Sequence, residues 1–191
     1  MRLTERSSIK DVVGAVAEAL AQAGVRAVLS GGACASIYSG GVYQSVDLDF
    51  ILQEYESTKQ IDDAMGSIGF SRSGNQYFHP EARFYVEFPP GPLSIAGDYR
   101  IQPVEIRIGA RTVLGLSSTD SCRDRLAAFF HWNDQPGLRA AVQIVLRSEV
   151  DLERIRIWSE QQGATARFRA FLEEIERVRH RRNSRRRRPK G

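Results

Sequence analysis

Apolar residues recur along the chain at two different periods, and the switches between them lay out the elements. Ile9, Val12, Val13, Ala15, Val16, Ala19 and Leu20 repeat at helical spacing, with Ser7 or Ser8 placed to cap the start and Gly24 to end it. A short apolar run at 25–29 predicts a first strand, after which Gly31-Gly32 turns the chain into a short helix over 33–38. Residues 46–52 predict a second strand, and Ile61, Ala64, Met65 and Ile68 mark a helix over 57–68. An edge strand near Phe70 and a turn at Asn75-Gln76 lead to a strand over 83–88. In that strand Phe84, Val86 and Phe88 form one face, and Arg83, Tyr85 and Glu87 the other. Pro89-Pro90-Gly91-Pro92 ends it, because proline has no N–H to give to a ladder. Two more strands, over 103–108 and 111–116, form a hairpin through Gly109-Ala110.

From residue 118 the pattern is helical throughout, with helices predicted over 118–132, 137–148, 151–161 and 165–180. The whole predicts an α+β fold: a mixed or antiparallel β-sheet with helices over residues 1–117, followed by a C-terminal helical region over 118–178. Residues 179–191 hold almost no apolar side chains and are expected to be a disordered basic tail.

Charge changes this picture in one respect. The formal net charge is +4, but residues 179–191 hold eight of the 27 Lys and Arg and none of the 23 acids. The remainder carries 19 basic against 23 acidic side chains and is mildly acidic. A basic tail on an acidic body suits capture of RNA through counterion release, or simply solubilises the end of the chain. With only Cys34 and Cys122 there is no disulfide framework and no cysteine metal site. No run of 18 apolar residues predicts a membrane span, and the first residues lack the apolar stretch of a signal peptide, so a cytoplasmic location is expected.

The candidate chemistry lies at Ser30-Gly31-Gly32 and Asp47-Leu48-Asp49. In a strand, Asp47 and Asp49 point to one side about 7 Å apart, while Val46, Leu48 and Phe50 are expected to point into the core. Upstream, a strand running through glycines into a helix leaves free N–H groups that can hold an anion. Glu87 is the candidate third acid, near the rim where the Pro-Pro-Gly-Pro exit begins, and Glu105 competes for that place. Three converging acids beside a phosphate cradle suit metal-assisted phosphoryl or nucleotidyl transfer.

At these residues the sequence resembles the nucleotidyltransferase superfamily of polymerase-β-like fold: a Gly-Gly turn, an acid-x-acid strand, then one acid on a later strand. The run 119–134 is similar to small bacterial members related to those of abortive-infection and toxin–antitoxin systems. The resemblance implies transfer of NMP from an NTP to a hydroxyl of RNA, protein or a small molecule, with Mg²⁺, as two ions, on Asp47, Asp49 and Glu87. It further implies nucleotide contacts from Ser30, Gly31, Gly32, Arg123 and Asp134, and an antitoxin as a possible partner. Two departures stand out: Glu87 replaces the usual aspartate, and Arg123 stands where a lysine is expected. A catalytically degenerate member that binds nucleic acid or a protein partner is the alternative.

Each of these residues also has a structural reading. Glu87 can pair with Arg83 or with a residue of a neighbouring strand, and Asp120, Arg123 and Asp124 can be helix-start charges paired at i, i+3 or i+4. Arg125, Phe129 and Trp132 line one face and read as packing. His79 and His131 read as structural, and Cys34 as a small buried residue.

Overall fold

A computed structural model describes residues 2–186. In chain order the elements are α1 (Ile9–Gln22), β1 (Ala27–Leu29), α2 (Gly31–Tyr38), β2 (Asp47–Leu52), α3 (Thr58–Gly66), β3 (Ser71–Ser73), β4 (Gln76–Phe78), β5 (Tyr85–Glu87), β6 (Val104–Ile108) and β7 (Arg111–Gly115). Helices α4 (Ser118–Trp132), α5 (Gln135–Val145), α6 (Leu152–Gln161) and α7 (Thr165–Arg186) follow.

The seven strands form one mixed sheet in the order β3-β4-β5-β2-β1-β7-β6. β2 runs antiparallel to β1 but parallel to β5, and β1 meets β7 in parallel at Leu29 and Gly115. α1 packs on β7 and α3, while α2 packs on β2 and connects the sheet to α4 and α5. The core between these layers is continuous, running from Val12, Val16 and Leu20 through Leu48, Phe50 and Val86 to Leu126, Ile144 and Phe171.

Local chemistry accounts for the helix starts. Ser8 caps α1 in a capping box with Asp11, and Ser57, Ser117, Asp134 and Asp151 cap α3, α4, α5 and α6 with their side chains. Among the described residues no helix is long and apolar enough to cross a membrane.

Four expectations need correction. Gly31 and Gly32 are not a turn before a helix but its first residues, entered from Ser30 as N-cap. Val46 precedes β2 and is 54% exposed, so the inward face of that strand is Leu48 and Phe50 alone. Trp132, at the end of α4, is 76% exposed and packs no core. Finally, residues 179–186 are helical, where composition predicts disorder. The stripe Phe168, Phe171, Ile175 and Val178 anchors α7 on the body, and arginine is a good helix former that extends it. Arg179 pairs with Glu176, and the Arg182 guanidinium donates to Gln143 Oε1 on α5 at 2.6 Å. Residues 187–191 of the basic tail lie outside the described residues.

Candidate active site

β2 and β5 bring the three acids together. Their parallel register places Asp47 beside Tyr85, Leu48 beside Val86 and Asp49 beside Glu87. Leu48 and Val86 are fully buried, so alternation turns Asp47, Asp49 and Glu87 to the opposite face. Glu105 lies on β6, three strands from β2 and therefore about 14 Å away across the sheet.

The start of α2 closes over the middle acid. Ser30 N–H donates to Asp49 O at 2.9 Å, joining the end of β1 to β2. Gly31 has φ +61°, and a Cβ there would lie 1.9 Å from Asp49 Oδ2, so only glycine permits this approach. At Gly32 a Cβ would lie 2.3 Å from Ser45 Oγ. The first N–H groups of a helix have no intrahelical acceptor, so the Gly31, Gly32 and Ala33 amides form an anion-binding end beside the carboxylates.

The electrostatics are strained at Asp49. Burial, followed by the charges of Asp47 and Glu87, raises its carboxyl from 3.8 to about 6. No hydrogen bond contributes to its environment, and the charge of Arg125 offsets the rise in part. Arg125, on α4, pairs with Asp124 at 2.7 Å, and the charges of Asp124 and Asp49 favour its protonated form against burial. The charge of Arg125 is thus felt at Asp49, although its spacing with Phe129 and Trp132 reads as packing. The signal available in the sequence is its place next to Asp124, two residues past Arg123.

Arg123 has a different role. Its side chain is 2% exposed, with Nη1 donating to Asp120 and Nη2 to Asp98, each at 2.7 Å, and its guanidinium stacks over Trp158. Burial pushes Asp98 up, but hydrogen bonds from Arg123 and Arg100 outweigh it and hold that carboxyl well below the usual range. Both terminal nitrogens of the guanidinium are engaged in this buried network, on a different side of α4 from the Asp124–Arg125 pair, while its Nε has no partner among the described residues. Asp134 is likewise a helix cap, accepting from Gly137 N–H at 3.0 Å. Removing one partner from a buried ion network leaves an unpaired charge, so Arg123→Ala is expected to cost about 3–5 kcal/mol in urea unfolding. Arg125→Ala is expected to unfold with a smaller loss and to weaken nucleotide binding in calorimetry; a reversal of the two phenotypes refutes this division of roles.

His79 accepts from the Glu81 and Ala82 N–H groups and packs on Phe70, a structural role. The Cys34 thiol is buried, which pushes its pKa up to about 12 and leaves it unreactive.

Among the described residues no group of three or more His, Cys, Asp or Glu is gathered closely enough to hold a metal ion. Each of the outer two acids carries one hydrogen bond. Ser45 Oγ donates to Asp47 Oδ1, and Gln76 Nε2, opposite Glu87 across the β4–β5 pair, donates to Glu87 Oε1. The donor chemistry nevertheless fits a divalent cation: three oxygen-bearing acids side by side, the central one partly buried without a hydrogen bond and crowded by like charge.

No known family profile matches this sequence, and no curated protein matches it. Two solved structures are similar. One is an antigenic nucleotidyltransferase-like protein from Paracoccidioides brasiliensis, 16% identical, with a TM-score of 0.52 over 75% of this chain and 78% of that one. The other is the antibiotic-resistance factor ANT(2'')-Ia, solved in solution, 14% identical, with a TM-score of 0.55 over 90% of this chain and 97% of that one. The chain therefore has a nucleotidyltransferase-type fold, as the resemblance in its acid-x-acid strand implies.

Proposed function

We propose that the protein is a Mg²⁺-dependent nucleotidyltransferase that moves NMP from an NTP to a hydroxyl acceptor. The observation that carries this reading is the placement of Asp49 between Asp47 and Glu87, directly against the Gly31 helix start. A triphosphate held on the Gly31, Gly32 and Ala33 amides would be repelled by three carboxylates in the absence of a cation, so binding it there calls for a cation beside it. Asp47, Asp49 and Glu87 would hold the ions. Bound there, Mg²⁺ would neutralise phosphate charge and lower the pKa of the attacking hydroxyl. Arg125 would add positive charge near the phosphates, and Glu87 would act either as an ion ligand or as the base that accepts the acceptor's proton. The acceptor oxygen bonds to the α-phosphorus as the bond to pyrophosphate breaks.

RNA is the acceptor that the basic end of α7 favours, since Arg179, Arg181 and Arg182 stand on a formed helix that can track a phosphate backbone. A protein acceptor regulated by an antitoxin, and a small-molecule hydroxyl, are the other forms the resemblance allows. Incubation with each labelled NTP, Mg²⁺ and total RNA is expected to give transfer that chelation stops. Label transfer that survives an Asp47→Ala, Asp49→Ala double substitution would falsify the assignment.

One observation favours the degenerate alternative, a binding module of the same fold. The outer acids are already engaged by Ser45 and Gln76, and the three are not gathered around a common point. Titration calorimetry with Mg²⁺ and NTP separates the two, because the module is expected to give no cation-dependent heat.

A further inference from the structure

We infer that Ser45 and Gln76 are positioning residues for the cation site, each fixing one outer carboxylate so that a single oxygen of it is presented. Their role rests on the cation reading above. Asp49 needs no such support, because the backbone holds it: its carbonyl receives the Ser30 N–H and its carboxyl is pressed against Gly31. Asp47 and Glu87 have no comparable wall. What each has is one neutral donor on one oxygen: Ser45 Oγ on Asp47 Oδ1 and Gln76 Nε2 on Glu87 Oε1. Among the described residues Asp47 Oδ2 and Glu87 Oε2 receive no hydrogen bond.

Both donors are neutral, which is the informative part. A lysine or arginine in either place would satisfy the carboxylate and compete with a divalent cation. A hydroxyl or an amide orients the group and leaves its charge intact, as the partners of metal ligands do. Both are also held from behind. Gln76 faces Glu87 by strand register, one rung from the Tyr77–Val86 pair, whose side chains are both buried. Ser45 is buried against Gly32, its N–H donates to Ser36 Oγ at 3.1 Å, and the Ser36 hydroxyl donates to Gly32 O at 2.9 Å. One chain of hydrogen bonds thereby runs from the start of α2 to Asp47, so the two halves of the site are set by the same residues.

The test uses the full chain and Mn²⁺ as probe, followed by titration calorimetry and by the Mn²⁺ spin-resonance signal. Ser45→Ala and Gln76→Ala are each expected to weaken Mn²⁺ binding by about tenfold to a hundredfold. Gln76→Ala placed in a Glu87→Ala background is expected to add nothing further, since its effect passes through that carboxylate. Wild-type affinity in both single variants overturns the inference while leaving the cation reading intact. An undiminished loss in the Glu87→Ala background also overturns it, because Gln76 would then act on the fold. A wild-type chain that takes up no Mn²⁺ ends the cation reading itself, and this inference with it.

Discussion

Asp49→Asn is expected to abolish nucleotidyl transfer while making the cation-free protein more stable at neutral pH. The two effects have one cause. In the folded chain burial and the neighbouring Asp47 and Glu87 raise the Asp49 carboxyl to about 6 from 3.8. A raised carboxyl binds its proton more tightly folded than unfolded. It therefore contributes stability below its unfolded pKa, and that contribution is lost as the pH rises through about 6. Asparagine keeps the shape without the charge. The gain at neutral pH is expected to be about 1–3 kcal/mol, the lower part of that range allowing for partial exposure. Thermal midpoints measured from about pH 4 to about pH 8 should converge at the acid end and separate at the neutral end. Catalytically, loss of a central cation ligand is expected to cost at least about a thousandfold, or ~4 kcal/mol of transition-state stabilisation. A variant that transfers normally, or one that is less stable than wild type at neutral pH, contradicts this account of Asp49.

Gly31→Ala should produce the second large effect, and a control separates its two sources. Gly24 has φ +76°, and a Cβ added there would meet nothing within 4 Å, whereas Gly31 has φ +61° and its Cβ would stand 1.9 Å from Asp49 Oδ2. Gly24→Ala is expected to cost only the left-handed backbone penalty, about 1–2 kcal/mol. Gly31→Ala carries that penalty and must also push Asp49 aside. A displacement of about 1 Å at a reacting centre costs on the order of a hundredfold in rate. Activity near wild type in Gly31→Ala, at a stability loss equal to that of Gly24→Ala, would show that the contact with Asp49 has no functional weight.

How much of this can be read from the sequence differs from residue to residue. Alternation places Asp47 and Asp49 on one face, and that inference needs only local geometry. Nearness to a proline-rich rim favours Glu87 over Glu105, but what sets Glu87 beside Asp49 is the parallel β2–β5 pairing, a contact between segments nearly forty residues apart. No local pattern encodes such a pairing. The same is true of Gln76, whose strand β4 is three residues long and reads locally as part of a turn. Arg123 and Arg125 stand two apart on one helix and so face different sides; composition cannot say which side meets the carboxylates and which meets Asp98 and Trp158. In the last turns of α7, high helix propensity and continuity with an anchored stripe outweigh a composition typical of disorder.

The sheet order gives the acid cluster a mechanical position. Among the described residues β3, β4 and β5 join the remaining strands only where β5 meets β2, along three residues whose register includes Asp49 and Glu87. Like charges therefore face one another across a seam of only three residue pairs. A cation bound there would act as a clasp between the hairpin and the body, and its binding energy would appear as protection of β3–β5 from hydrogen exchange.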